Sequence, residues 1–163
     1  MKKVLVVFAL VAIIGTGTAF ADFGIGLHGG GNYGGNIGGG GGLNLAFDSL
    51  FIYIDYVGGG SGINLSGAVD FLQFFGSDLG SGPVLNGKFA WYLRLGIPVS
   101  ISIDSDYFGL NAGVRFPIGV SWRKDIFELF LQATPLIGVK ILPLNDINLW
   151  WNVGGNLGFR IWF

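Results

Sequence analysis

The chain has 163 residues, 51% of them hydrophobic and only 12% charged, with 31 glycines, no cysteine and a formal net charge of −1. A soluble domain carries roughly a quarter of its residues charged. Half that charge, at a mean hydropathy of +0.61, excludes an ordinary soluble enzyme, a disordered chain and a disulfide scaffold. No stretch reaches the roughly 18 unbroken apolar residues of a spanning helix. High apolar content in short alternating pieces points instead to an all-β chain, a transmembrane barrel of antiparallel strands.

Residues 1–21 read as a cleaved secretory signal peptide. Lys2 and Lys3 make a basic start, Val4 to Ile14 an apolar run too short to span, and Ala19-Phe20-Ala21 fits the small-x-small cleavage pattern at Ala19 and Ala21. A retained anchor is the alternative, and the lack of a cysteine after the run excludes a lipoprotein. The barrel domain is then 22–163. Without Lys2 and Lys3 it holds seven basic against ten acidic residues, a net charge of −3 and the wrong sign for a nucleic-acid partner.

In chain order, alternation predicts eight strands. Phe23, Ile25 and Leu27 alternate with Gly24, Gly26 and His28. Leu43, Leu45 and Phe47 alternate with Asn44, Ala46 and Asp48. Ile52, Ile54 and Tyr56 flank Tyr53 and Asp55, and Ile63, Leu65, Val69 and Phe71 alternate with Asn64, Ser66, Ala68 and Asp70. The pattern is stronger in the second half. From Lys88 to Asp104 every odd position is bulky and apolar, from Phe108 to Trp122 every even one, and Ile126–Ile141 and Leu149–Phe163 repeat the device on odd positions. Successive strand residues point to opposite faces, so each strand has one apolar face and one small or polar face. A helix would smear this pattern.

The predicted connections are Gly29–Gly42, Asp48–Leu50, Gly58–Gly62, Phe75–Gly87, Asp104–Tyr107, Lys124-Asp125 and Leu142–Asn148. The Gly29–Gly42 tract reads as a flexible loop, with strand extension as its rival. Its GxGxxG-like spacings carry no weight as a phosphate cradle, because no helix pattern follows. Pro98, Pro117 and Pro135 each lack a ladder donor, so bulges or bends are expected there. Eight strands have about 18 residues each, whereas ten have about 14, too few with turns included. An even count places both chain ends on the periplasmic side.

The inward charges are the chemically informative set. Asp55, Asp70, Arg94 and Arg115 fall roughly at one depth on strands three to six, with Glu128 and Arg160 nearer the periplasmic end of strands seven and eight. Eight strands leave an interior only just filled by side chains, and buried charges are costly unless paired. A bidentate Asp–Arg network plugging the lumen is therefore expected, with a gated ion path as the alternative. Inward glycines at 96, 109, 113, 119, 138, 154 and 158 remove filler and keep a water path open as an idea. His28 is the sole histidine, and no serine pairs with it from sequence, so no catalytic residue is assigned. One histidine and no cysteine also leave no metal site and no cofactor to expect. Tyr56, Phe75, Trp91, Phe108, Trp122, Phe127, Trp150 and Trp151 near strand ends suggest two interfacial girdles. Asp104, Asp106 and Asp146 read as a solvated acidic rim, with divalent cations as the alternative.

The final run Gly158-Phe159-Arg160-Ile161-Trp162-Phe163 ends in an aromatic preceded by apolar residues at every second position. Together with the signal peptide and the eight-strand pattern it resembles the small bacterial outer-membrane barrels typified by the OmpA transmembrane domain, OmpX and OmpW. The resemblance implies that Leu157, Phe159, Ile161 and Phe163 form an assembly signal read by the barrel assembly machinery, with periplasmic chaperones as transient partners. It also implies residence among outer-membrane lipids as a monomer, and a structural, non-enzymatic role. A narrow pore and an outer-membrane lipid-modifying enzyme are the alternatives. In that class the outer loops are long. Here the one long outer connection is nearly free of side chains, which speaks against adhesion through loops.

Overall fold

A computed structural model describes residues 22–33, 38–58, 63–81, 86–104, 107–142 and 148–163. The predicted signal peptide, with Ala19 and Ala21, lies outside the described residues. Nine strand segments follow one another: β1 (Phe23–Tyr33), β2 (Gly38–Phe47), β3 (Leu50–Gly58), β4 (Ile63–Ser81), β5 (Lys88–Asp104), β6 (Tyr107–Arg115), β7 (Ile118–Lys124), β8 (Phe127–Leu142) and β9 (Leu149–Trp162). Every pairing is antiparallel, and β1 pairs with β9 as well as β2, from Gly24↔Trp162 to Tyr33↔Val153. The sheet is thus closed.

The nine segments make eight strands. Both β6 and β7 pair with β5 on one side and β8 on the other in an uninterrupted register. Between them, Arg94 N–H donates to the Pro117 carbonyl at 2.9 Å and Phe116 N–H to the Pro135 carbonyl at 2.8 Å. The missing donor of Pro117 breaks the ladder locally without displacing the strand. No bulge falls at Pro98 or Pro135: Ala68↔Pro98 and Pro135↔Val153 keep the register, although Pro98 has no partner on β6 between Gly96↔Arg115 and Val99↔Ala112. Register shifts fall instead between Asp70 and Leu72, Gln73 and Phe75, and Asp78 and Gly80 on β4, and beside Leu110 and Asn111 of β6.

These bulges correct the expected connection Phe75–Gly87, because β4 runs on to Ser81 opposite Lys88. Each bulge shifts the inward–outward parity by one, which erased the alternation that marks a strand in the sequence. The loop expected over Gly29–Gly42 is also corrected. β1 extends to Tyr33 and β2 begins at Gly38, with Gly29↔Gly41, Gly30↔Gly40 and Gly31↔Gly39 in register. Ladder bonds use only backbone groups, and the β9 neighbours hold the register from the other side. Glycine is required at Gly30, where a Cβ would run into the Gly155 carbonyl oxygen.

Stepping from partner to partner around the ring, from Asn152 through Leu136, Arg115, Gly96, Asp70, Phe51, Ala46 and Gly24, returns to β9 at Trp162, ten residues along (152 to 162). Such a stagger requires tilted strands. The tight turns lie at the end that holds Phe23 and Phe163. Asp48 (φ 52°) and Asp125 (φ 50°) take the left-handed conformation there, which aspartate tolerates better than most residues.

The faces are inverted relative to a soluble protein. Among the described residues, 31 large apolar side chains are exposed, while ten polar or charged residues are buried against eight apolar ones, of which Phe47 is covered by Phe23 on the outer face. The apolar part of that interior is a cluster of Ala46, Phe51, Tyr53, Ala68, Phe130 and Trp162, at the Phe23/Phe163 end. Inward glycines make room for it. A Cβ on Gly158 would stand 2.5 Å from Phe130 Cζ and 2.7 Å from His28 Cβ, and one on Gly119 2.5 Å from Tyr92 Oη. Gly138 likewise accommodates Trp150, at 2.8 Å. At these positions the water path suggested by glycine is filled by a neighbour's side chain.

We expect Gly158→Ala to cost about 1–3 kcal/mol by overpacking. Gly155→Ala, outward with nothing within 4 Å of the added carbon, should be neutral. Urea titration of the folded, fast-migrating band on unheated detergent gels measures both.

Candidate functional site: the barrel interior

Register brings the inward charges together in pairs. β8 and β9 place Glu128 opposite Arg160. The Arg160 guanidinium, wholly buried, spreads its donors over three strands: Nη1 to Glu128 Oε2 at 3.0 Å, Nε to Asn44 Oδ1 at 2.6 Å and Nη2 to Tyr53 Oη at 3.0 Å. Glu128 Oε2 also accepts from Trp162 Nε1 at 2.8 Å. One side chain therefore ties β2, β3, β8 and β9 across the lumen. Arginine suits this task because five donors radiate from one planar, weakly hydrated cation.

A second pair closes the other side. Arg115 donates from Nε to Asp70 Oδ1 at 2.6 Å and from Nη2 to Oδ2 at 2.8 Å, a bidentate bond with both side chains buried. Tyr53 joins the two clusters, its ring 4.5 Å under Arg115 and its hydroxyl bonded to Arg160, and Tyr53 and Tyr92 both donate to Gln132 Oε1, at 3.3 and 3.0 Å. Rings complete the seal. Arg94 lies 3.4 Å over Phe51 and 3.8 Å over Tyr92, while Arg160 lies 4.9 Å from Phe51 and 4.2 Å from Phe130. Tyr92, Arg94, Phe51, Arg160 and Phe130 thus alternate ring and guanidinium in contact order, each contact a cation–π attraction strengthened by desolvation.

Two predicted members stand apart. Arg94 has no carboxylate within 4 Å among the described residues; its Nε donates to Gln73 Oε1 at 3.3 Å. Asp55 meets no arginine among the described residues. It pairs in register with Gly42 and Ser66, whereas Asp70 pairs with Phe51. Ser66 and Asp70 are four residues apart on β4, so Asp55 sits about 13 Å further from the Phe23/Phe163 end, not at one depth with the others. Its partner is His28, whose Nε2 contacts Oδ1. The His28 ring is buried edge-on against Tyr53, 5.3 Å between centroids.

The remaining predicted residues fall as follows. Leu157, Phe159, Ile161 and Phe163 share the outer face of β9, and Phe163 exchanges backbone hydrogen bonds with Phe23, at 2.7 and 3.4 Å, across the closing seam. Tyr56, Phe108, Phe127 and Trp151 are exposed, but Trp150 turns inward over Gly138 rather than joining a girdle. The side chains of Phe75, Asp104, Asp106 and Asp146 lie outside the described residues. Sequence reasoning missed Asn44, Phe51, Tyr53, Tyr92 and Gln132. Their inward parity was visible; that they bridge the charges was not, because it depends on which strands face each other across the ring.

A closed ladder, an apolar exterior and a polar, side-chain-filled interior define an eight-stranded β-barrel of the kind that spans membranes. Solved structures similar to it include the N-terminal β-barrel domain of Pseudomonas aeruginosa OprF, 14% identical over 85% of this chain and 97% of that one, with a TM-score of 0.49. Neisserial surface protein A (NspA) is 14% identical over 86% of this chain and 95% of its own, with a TM-score of 0.44. No protein-family model matches the chain, and no curated protein matches it.

Removing one partner of a buried pair leaves an uncompensated charge, so Asp70→Ala is expected to cost about 3–5 kcal/mol. The double variant Asp70→Ala/Arg115→Ala should cost less than the sum of the two single changes. The urea midpoint of the folded band measures each.

Proposed function

We propose that this protein is an integral, monomeric barrel of a bacterial outer membrane, structural and non-catalytic, with its lumen closed by side chains. The observation that carries this is the inversion of faces: exposed aliphatic residues cover the outside from Leu27 on β1 to Leu157 on β9. Soluble monomers expose apolar patches of only a few hundred Å². A nearly apolar groove of about 160 Å³ between the outward Phe89, Val120, Trp122, Leu129, Leu131 and Leu157 suits acyl chains. Closure of the lumen is supported by Arg160, which reaches three other strands through Glu128, Asn44 and Tyr53.

The non-catalytic part rests on His28. Its side chain is 1% exposed, faces the interior and is committed through Nε2 to Asp55, far from the exterior where a lipid substrate would lie. The serine nearest to this pair in register, Ser66, is opposite Asp55 rather than His28. The outward Leu157, Phe159, Ile161 and Phe163 are proposed as the address read during assembly. A narrow pore is the second reading. It is favoured by His28 Nδ1, Thr134 Oγ1 and Asn152 Oδ1, buried without partners and thus calling for water inside the barrel.

Reconstituted into planar bilayers with a salt gradient, the barrel is expected to be silent while its folded gel band persists. Regular unitary openings would replace the structural reading with the pore.

A further inference from the structure

We propose that Arg94 holds a small inorganic anion of the halide class inside the barrel. The residue is 4% exposed, and Phe51 and Tyr92 cover the two faces of its guanidinium. Its N–H groups must therefore find acceptors in the guanidinium plane. Among the described residues, Nε meets a neutral acceptor, Gln73 Oε1 at 3.3 Å, while Nη1 is buried with no partner. A buried charge without a counter-charge is among the costliest arrangements a fold can hold.

The buried carboxylates among the described side chains are already engaged. Asp70 is the acid closest in register, opposite Gly96 and two residues from Arg94 on β5, yet Arg115 takes both of its oxygens. Glu128 Oε2 serves Arg160 and Trp162. Among the residues whose side chains are described, the buried interior near the Phe23/Phe163 end thus holds three guanidinium groups, of Arg94, Arg115 and Arg160, against the two carboxylates of Asp70 and Glu128. Asp55 does not restore the balance. It faces Ser66, which pairs with Ser100, six residues along β5 from Arg94 and so about 20 Å away.

The unmet need at this end is for acceptors. Besides Arg94 Nη1, the amide nitrogens Gln132 Nε2 and Asn44 Nδ2 are buried without partners. Gln132 accepts from the same Tyr92 that stacks on Arg94. A water molecule filling such a site brings two donors of its own and no charge. A halide accepts from several donors at once and cancels the excess cation. A single-atom anion also needs the least room beside a guanidinium covered by two rings.

The inference rests on the interior geometry and is independent of whether the barrel conducts. The test uses the barrel purified in detergent, with sodium bromide replacing sodium gluconate at constant ionic strength. A saturable rise in melting temperature of about 2–4 °C is expected, together with an anomalous bromide peak within hydrogen-bond reach of the Arg94 guanidinium in crystals grown in bromide. Arg94→Gln should abolish both. If that variant does not fold, the wild-type melting curve and bromide map decide alone. An unchanged melting temperature with no bromide at Arg94, or a rise that survives in Arg94→Gln, overturns the proposal and leaves water in the site.

Discussion

Everything in this barrel depends on the seam where β1 meets β9. The paired residues of Gly24–Tyr33 and Val153–Trp162 are 120 to 138 positions apart in sequence, yet their pairing removes the two edges an open sheet would leave. With an apolar exterior, an unpaired edge would expose backbone donors and acceptors with nothing to satisfy them. The ten-residue stagger accumulated around the ring closes at this seam, and with eight strands it fixes how much room remains inside. The glycines of β1 serve the seam directly: Gly24 and Gly30 lie against Trp162 and the Gly155 carbonyl, where larger residues would push the strands apart.

Closure creates the second constraint. The outer face carries the aliphatic residues, so the alternating face must fill the lumen with what remains. Packing there is achieved by pairing large with absent side chains: Trp162 with Gly24, Phe130 with Gly158, Tyr92 with Gly119, Trp150 with Gly138. Charge is handled by arginine, whose planar cation bonds carboxylates in its plane and stacks on rings above and below it. Arg160 uses both modes at once, with Glu128 at its edge and Phe51 and Phe130 on its faces. Arg115 uses both with Asp70 and Tyr53. Arg94 has the faces but, among the described residues, only the neutral Gln73 at its edge, and that asymmetry sets it apart from the other two.

The interior consequently has two halves. Toward Phe23 and Phe163, rings, arginines and acids interlock across the strands. Toward the opposite end the lining is mostly glycine, serine and asparagine, interrupted by Trp150 and Lys140, with His28 and Asp55 at the boundary between the two. A solid base under a small-residue upper half reconciles the structural reading with the buried polar atoms that favour water.

The alternation of Lys88–Asp104, Phe108–Trp122, Ile126–Ile141 and Leu149–Phe163 was enough by itself to determine the all-β class and the faces of Arg94, Arg115, Glu128 and Arg160, because a period of two is a local property of strand geometry. The weaker alternation of the first half and the residues available per strand completed the count of eight. Alternation was silent where side chains vanish, over Gly29–Gly42, and where bulges flip the parity, over Phe71–Ser81, since neither leaves an alternating trace. The partners of the charges were decided by the tertiary structure alone. Glu128 with Arg160 and Asp70 with Arg115 follow from register and stagger. His28 takes Asp55, and Arg94 is left between two rings, because distance across a closed lumen is a property of the whole ring and of no segment within it.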